Sequence, residues 1–255
     1  MTDLVHLNLD GGVATITLDS PHNRNALSAR LVEQLLDALR RADEDPAVRV
    51  AVLTHTGKTF CAGADLSEAS QGAEGDPVRA RGEQLSTVLR TMITLGTPVL
   101  GLVDGHVRAG GMGLIGACDL VVAGPSATFA LTESRLGLAA SVISVVVLPR
   151  LTGRDASRLF LTGETIDAET AARLGLVTEA ADDPRAAADR LAASLLAASP
   201  QGLRESKQLV NHALVAAFDA DRERVIDQSA RLFASEEARE GMRAFLEKRP
   251  PRWQV

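Results

Sequence analysis

The parts of this chain that could do chemistry are two glycine-rich turns and one carboxylate. The first turn is Gly105-His106-Val107-Arg108-Ala109-Gly110-Gly111-Met112-Gly113-Leu114-Ile115-Gly116-Ala117-Cys118-Asp119. Glycine has no Cβ, so a bound group can come close to the backbone there. A helix starting at Gly110 or Gly111 would aim unpaired N–H groups and a partial positive charge at whatever sits above it. That suits an anion, and an enolate oxygen formed during a reaction is one. The second turn, Lys58-Thr59-Phe60-Cys61-Ala62-Gly63-Ala64-Asp65-Leu66, also follows a β-branched-rich stretch and exposes N–H groups in the same way. Two such turns could bring two donors to one oxygen. The carboxylate is Glu133, in Phe129-Ala130-Leu131-Thr132-Glu133-Ser134-Arg135-Leu136-Gly137-Leu138, where Thr132 and Ser134 could hydrogen-bond it. A carboxyl near an apolar turn has its charged form disfavoured, which raises its pKa toward working pH. Taken singly, each turn also fits tight packing, and Glu133 fits an ordinary surface position. Arg108 and His106, beside the first turn, fit solvent-facing or packing roles.

These groups need elements to position them. Leu4 to Leu9 and Val13 to Leu18 flank Asp10-Gly11-Gly12 and read as a β-hairpin. Ser28 can cap a helix running to about Ala42, with Leu31, Leu35, Leu36 and Leu39 on one face. A strand follows over Val48 to Thr54. Ser67 to Arg81 reads as a mobile loop leading into a helix that stops before Pro98. Strand Val99 to Val103, the glycine turn, a helix to Ala117 and strand Leu120 to Ala123 complete an α/β alternation with right-handed crossovers. From Asp155 onward helices take over, at about 167–173, 184–198, 202–219, 222–234 and 236–247. The best joints are Asp182-Asp183-Pro184 and Ala198-Ser199-Pro200. The chain divides near Ser199 into an α/β core, 1–199, and a helical C-terminal region, 200–255.

Composition narrows the function classes. The 255 residues are 45% hydrophobic and 24% charged, ordinary for a globular domain. The net charge is −6 with dispersed basic residues, which argues against a nucleic-acid binder. Cys61 and Cys118 are the only cysteines and fit no metal motif, so no metal is expected and a free-thiol, cytoplasmic setting is. The first residues lack the basic and apolar regions of a signal peptide. No stretch has the length of a membrane span. With no tyrosine in the chain, Tyr is excluded as acid, base or oxyanion donor.

The two turns and the Glu133 segment occur in an order and spacing that resembles the crotonase superfamily, the enoyl-CoA hydratases and isomerases. Leu18-Asp19-Ser20-Pro21 to Asn25-Ala26-Leu27 agrees, as do Leu161-Thr162-Gly163-Glu164 and Ala171 to Val177. So does Gly241-Met242-Arg243-Ala244-Phe245-Leu246-Glu247-Lys248-Arg249 near the end. The likeness covers almost the whole chain. It implies a spiral of ββα units with a C-terminal helical trimerisation region, forming a homotrimer or a dimer of trimers. It implies an oxyanion hole from the N–H groups of Ala64 and Gly110, with Glu133 as acid/base. The substrate would be an acyl-CoA thioester, with coenzyme A entering as part of the substrate and no separate cofactor. His22, Arg24, Ala26, Ala62, Asp65 and Leu66 would lie along the pantetheine and diphosphate. Phe245 and Lys248 would reach the adenine and phosphates, beside a subunit interface.

The chain departs from the family at one position. The family's first catalytic glutamate falls where this chain has Gly113, and glycine can neither carry a proton nor orient water through a side chain. Hydration of a 2-enoyl-CoA through Glu133 stands first. Isomerisation of 3-enoyl-CoA to 2-enoyl-CoA, which needs one carboxylate, stands second. A catalytically weak acyl-CoA-binding protein is the reading from another class. A glutamate restored at position 113 is expected to be tolerated, since the helix backbone alone does not disfavour a side chain there.

Overall fold

The computed structural model describes residues 3–65 and 77–254. Its strands are β1 (Val5–Asp10), β2 (Val13–Leu18), β3 (Val50–His55), β4 (Thr59–Cys61), β5 (Val99–Val103), β6 (His106–Arg108), β7 (Leu120–Ala123), β8 (Thr128–Ala130), β9 (Ile166–Asp167) and β10 (Glu179–Ala180). Its helices are α1 (Ala29–Glu44), α2 (Pro77–Thr94), α3 (Gly110–Ala117), α4 (Ser141–Val147), α5 (Gly153–Thr162), α6 (Ala168–Arg173), α7 (Pro184–Leu196), α8 (Pro200–Phe233) and α9 (Glu236–Leu246). Residues 67–76 of the expected mobile loop lie outside the described residues, and α2 begins directly after them.

The expected hairpin forms, with Val5 opposite Leu18 and Asp10 opposite Val13. It seeds a larger sheet in the order β1-β2-β3-β5-β7-β10, parallel from β2 onward. Every residue of β5 is buried because helices cover both faces. On one face Leu31, Leu35 and Leu39 of α1, at helical spacing, join Leu89 and Met92 of α2 against Ala51, Leu53 and Val99. On the other, Ala187, Ala188 and Ala192 of α7 pack on Val52, Leu100 and Val122. The Ser28 hydroxyl caps α1 by accepting the Leu31 N–H at 3.2 Å.

A smaller sheet, in the order β4-β6-β8-β9, carries the residues singled out from the sequence. Its first three strands are parallel, and β9 runs antiparallel to β8. The architecture is a mixed α/β fold with a helical C-terminal part, as the family resemblance implies.

One expected break is absent. The segments 202–219 and 222–234 form the single helix α8, which starts at Ser199, where the hydroxyl accepts the Gly202 N–H at 3.1 Å. Polar residues at and near the expected break tie α8 along α2. Arg90 holds Asp219 with bonds of 2.7 and 3.0 Å, Arg222 donates to Ser86 at 3.0 Å, and Arg79 pairs with Glu223 and Asp227. Lys207, also on α8, is buried. Its Nζ meets Asp119 at 2.7 Å and donates to the carbonyls of Met92 and Thr97 at 2.8 and 3.0 Å. Lys207 thereby satisfies the Met92 carbonyl, which the end of α2 would otherwise leave unpaired, and the Thr97 carbonyl just beyond it. Among the described residues, no helix is long and apolar enough to cross a membrane.

Candidate active site

The three groups singled out from the sequence leave the small sheet side by side. Register places Cys61 opposite Val107 and Arg108 opposite Ala130 in parallel strands. Ala62–Ala64, Ala109–Gly110 and Leu131–Glu133 therefore all emerge from the carboxyl ends of adjacent strands. Neighbouring strands stand about 4.8 Å apart, and the carboxyl edge of parallel strands is where α/β folds bind ligands.

The local backbone explains where the donors point. Leu27 bridges to the second turn by donating to Gly63 O at 2.7 Å and accepting from the Asp65 N–H at 3.4 Å. Along an extended segment successive N–H groups alternate in direction, so the Ala64 N–H faces away from Leu27. Ala64 is exposed. The other turn packs directly against this one. Gly63, at φ 92°, lies so close to Ala109 that an added Cβ would come within 2.5 Å of the Ala109 methyl. At Gly110 an added Cβ would stand 2.7 Å from Leu27 and 3.5 Å from the Gly63 Cα. At Gly63 only glycine allows this approach. Ala109 itself takes φ 47° and ψ −120° immediately before α3, a conformation costing a non-glycine residue about 1–3 kcal/mol. That strained residue opens α3, whose first N–H is that of Gly110.

Glu133 begins a short 3-10 turn, Glu133–Leu136. The residue is half-buried, yet its Oε2 is withdrawn from solvent with no hydrogen-bond partner. Burial pushes its carboxyl up to about 7, opposed only by its own backbone N–H. Ser134 does not support the carboxyl as the sequence suggested. It donates to Leu161 O at 3.3 Å, while Arg135 donates to Thr162 O at 2.8 Å, so both pin the turn to the end of α5. A buried carboxyl with a free Oε2 and its pKa raised toward neutrality is equipped to take or give a proton there.

The structure overturns the expectation at Gly113. A Cβ there would lie 2.5 Å from Ile143 Cγ2, 3.1 Å from Ile143 Cβ and 3.3 Å from Leu89 Cδ1. Ile143, on α4, fills the space a side chain at 113 would need. The helix backbone would accept a glutamate; its neighbours would not.

The other candidates fall around these groups. Arg24, His22 and Ala26 lie on the segment beside the Ala62–Asp65 turn, where Arg24 O accepts the Ala62 N–H at 3.1 Å. His22 and Arg24 are exposed, whereas Ala26 is buried. Asp65 accepts from Asn23 at 3.1 Å, and Leu66 lies outside the described residues. Phe245 and Lys248 are exposed on and just past α9, with Lys248 at φ 53°. Arg108 spends its guanidinium on Val107 O, Thr128 O and the Thr128 hydroxyl, at 2.7–2.9 Å. His106 also meets the Thr128 hydroxyl, at 2.8 Å. Both Cys61 and Cys118 are buried, with thiols pushed up to about 12. Among the described residues no cluster suits a metal ion.

One positioning residue escaped the sequence reading. Asn25, fully buried, accepts the Ser20 N–H at 2.6 Å and donates to Thr56 O and Thr59 O at 3.1 and 2.7 Å. It fastens the Arg24–Leu27 segment to the base of β4. The signal was its type: asparagine tolerates positive φ, here 53°, and hydrogen-bonds backbone in loops.

Sequence and fold comparisons place the chain in a family. A profile of the Enoyl-CoA hydratase/isomerase family matches residues 8–255. The crystal structure of an enoyl-CoA hydratase from Mycobacterium avium matches with a TM-score of 0.93 and 51% identity, covering 100% of both chains. Carnitinyl-CoA dehydratase of Proteus mirabilis is 32% identical over 264 residues, 99% of each chain. Mevalonyl-coenzyme A hydratase sidH of Aspergillus fumigatus is 32% identical over 247 residues, 94% of this chain and 91% of its own. The chain belongs to the enoyl-CoA hydratase/isomerase family of the crotonase superfamily and is an enzyme of that family.

Proposed function

We propose that this enzyme adds water to a 2-enoyl-CoA, with the thioester oxygen held between the Ala64 and Gly110 N–H groups and Glu133 moving the proton. The observation that carries this reading is the emergence of both turns and a buried, unpaired carboxyl from adjacent strand ends. As water oxygen bonds to C3, Glu133 takes its proton and the double bond shifts to an enolate. The two N–H groups hold that negative oxygen, and the proton then goes to C2. Each such donor contributes about 3–4 kcal/mol in a dry site. Coenzyme A is part of the substrate, and His22, Arg24, Ala26, Ala62, Asp65, Leu66, Phe245 and Lys248 are the residues proposed to bind it.

Gly113 and Ile143 favour a second reading. With no second carboxylate to anchor water, Glu133 alone could take a proton from C2 of a 3-enoyl-CoA and return it at C4. Incubating the protein with 2-enoyl- and 3-enoyl-CoA panels, with product identification by mass and NMR, separates the two. In either case Glu133→Gln should lower turnover by about 10²–10⁴-fold and leave ester binding intact. Full turnover in that variant refutes the single-carboxylate mechanism. Binding without turnover in the parent would make it an acyl-CoA-binding protein.

We further propose a homotrimer or dimer of trimers. α8 leaves Leu209 and Val210 80% and 74% exposed, apolar surface of the kind association covers.

A further inference from the structure

Glu133 has no hydrogen bond holding its buried Oε2, so its aim must come from the backbone that carries it. Two elements grip that backbone. On one side is the end of α5, through Ser134 and Arg135. On the other is α9, and there the contact is backbone against backbone. Gly137, at φ 71°, closes the turn, and an added Cβ would stand 2.6 Å from the Glu237 carbonyl carbon and 2.9 Å from the Ala238 N. From the α9 side, a Cβ on Gly241 would overlap the Leu136 carbonyl and come 2.7 Å from its Cα. Two glycines thus let α9 lie on the Glu133 turn with no side chain between them. The tail then folds back over α9 beside this joint. Arg249 forks onto Glu240 at 2.7 and 3.1 Å, and the Arg252 N–H donates to the same carboxylate at 3.1 Å. These bonds hold the Glu240 carboxyl down at about 2.

We propose that α9 is the positioning element of Glu133: seated through Gly137 and Gly241, and stiffened by the Glu240–Arg249 clasp, it fixes where the carboxyl points and keeps bulk solvent, though not the reacting water, from it. This rests on Glu133 being the acid/base group. α9 and the tail then do more than carry Phe245 and Lys248. They set the geometry and the dryness of the proton-transfer site.

Charged groups on the packed elements do not compete for this role. Arg135 on the turn donates to Thr162 O, Arg158 and Glu164 at the end of α5 pair with each other, Glu237 is exposed, and Glu240 is engaged by Arg249. No charge contributes to the raised Glu133 value, which comes from burial. Loosening α9 should therefore act by letting water in, and the carboxyl should titrate lower.

The test is Gly241→Ala, with Glu240→Gln as a second variant that adds no bulk. Two readouts are used in each: the pH profile of crotonyl-CoA turnover, and the infrared band of the protonated carboxyl followed against pH without substrate. Glu133→Gln identifies that band by its loss. A displacement of 1 Å in a catalytic group can cost about 10²-fold in rate. The expected result for Gly241→Ala is a fall in kcat of about tenfold or more with KM little changed, and a carboxyl midpoint moved to lower pH. Glu240→Gln should move both the same way by less, and decides the matter if Gly241→Ala does not fold. Parental kcat and an unmoved midpoint in the folded variants overturn the proposal. Full activity in Glu133→Gln overturns the acid/base reading instead, and the infrared midpoint still decides whether α9 keeps the carboxyl dry.

Discussion

Replacing Gly113 by alanine isolates the contact that distinguishes this site. Two effects oppose each other. Alanine in place of glycine inside a helix gains about 1 kcal/mol. The new Cβ, however, falls 2.5 Å from Ile143 Cγ2, a branch methyl fixed at χ1 rather than the free end of a long chain. Overpacking of that kind costs about 1–3 kcal/mol, so the net expectation is a loss of about 1 kcal/mol. Truncating the neighbour removes the obstacle. Ile143→Ala alone should cost about 2–5 kcal/mol through the cavity it leaves. In that background Gly113→Ala should be stabilising, since only the Ile143 Cβ at 3.1 Å and the flexible Leu89 end at 3.3 Å remain near. The sign of one substitution thus reverses with the state of a residue on another helix, a coupling of about 1–3 kcal/mol. Urea unfolding of the four proteins at one protein concentration measures it. Stabilisation of the parent by Gly113→Ala, equal to that in the Ile143→Ala background, would refute the packing argument. Gly113→Glu should be worse than Gly113→Ala, because it adds a carboxylate to the same filled space, and it should not raise hydration.

Other perturbations follow from single groups. A carboxyl raised from 4.5 to about 7 on folding binds protons more tightly in the native state, so its contribution to stability is lost as pH rises through that window; the melting temperature of Glu133→Gln should therefore gain on the parent between those values, and the difference should stay constant above them. Lys207→Met should destabilise by about 3–5 kcal/mol, because Asp119 and two backbone carbonyls lose a buried partner; denaturant midpoints equal to the parent's would contradict this. Lys248→Ala should weaken binding of a CoA ester more at low salt than at high salt, by calorimetry, since the side chain is exposed and its field is screened. Sedimentation equilibrium should return a multiple of three chains, and a stable, fully active monomer would refute the assembly.

Some of this molecule could be read along the chain because the controlling interactions are local. Ser28 caps α1 three residues away, and Gly11 and Gly12 close the hairpin between strands that touch each other. β5 announces itself as an unbroken apolar run because both its faces are covered. The small sheet could not be read in this way. Its strands have two or three residues each, too few for alternation to show, and they gain their order only from partners distant in sequence, such as Cys61 with Val107 and Phe129 with Ile166. The unity of α8 was hidden for a related reason. Asp219 and Arg222, at the expected break, are held by Arg90 and Ser86 of another helix, contacts that a reading along the chain does not supply. At the candidate site the same division holds. Which residues could polarise a carbonyl was visible in the two glycine turns, because backbone exposure follows from residue type. What surrounds them was not. The consequence of Gly113 depends on Ile143, thirty positions on by number, and the close seat of the Glu133 turn on α9 depends on a glycine in the last helix. Motifs name the groups that can react, whereas long-range packing decides how much room and how much water each one has. Gly113 shows the difference: an absent glutamate reads as a lost catalytic group, but in the folded chain it is also a space another helix has taken.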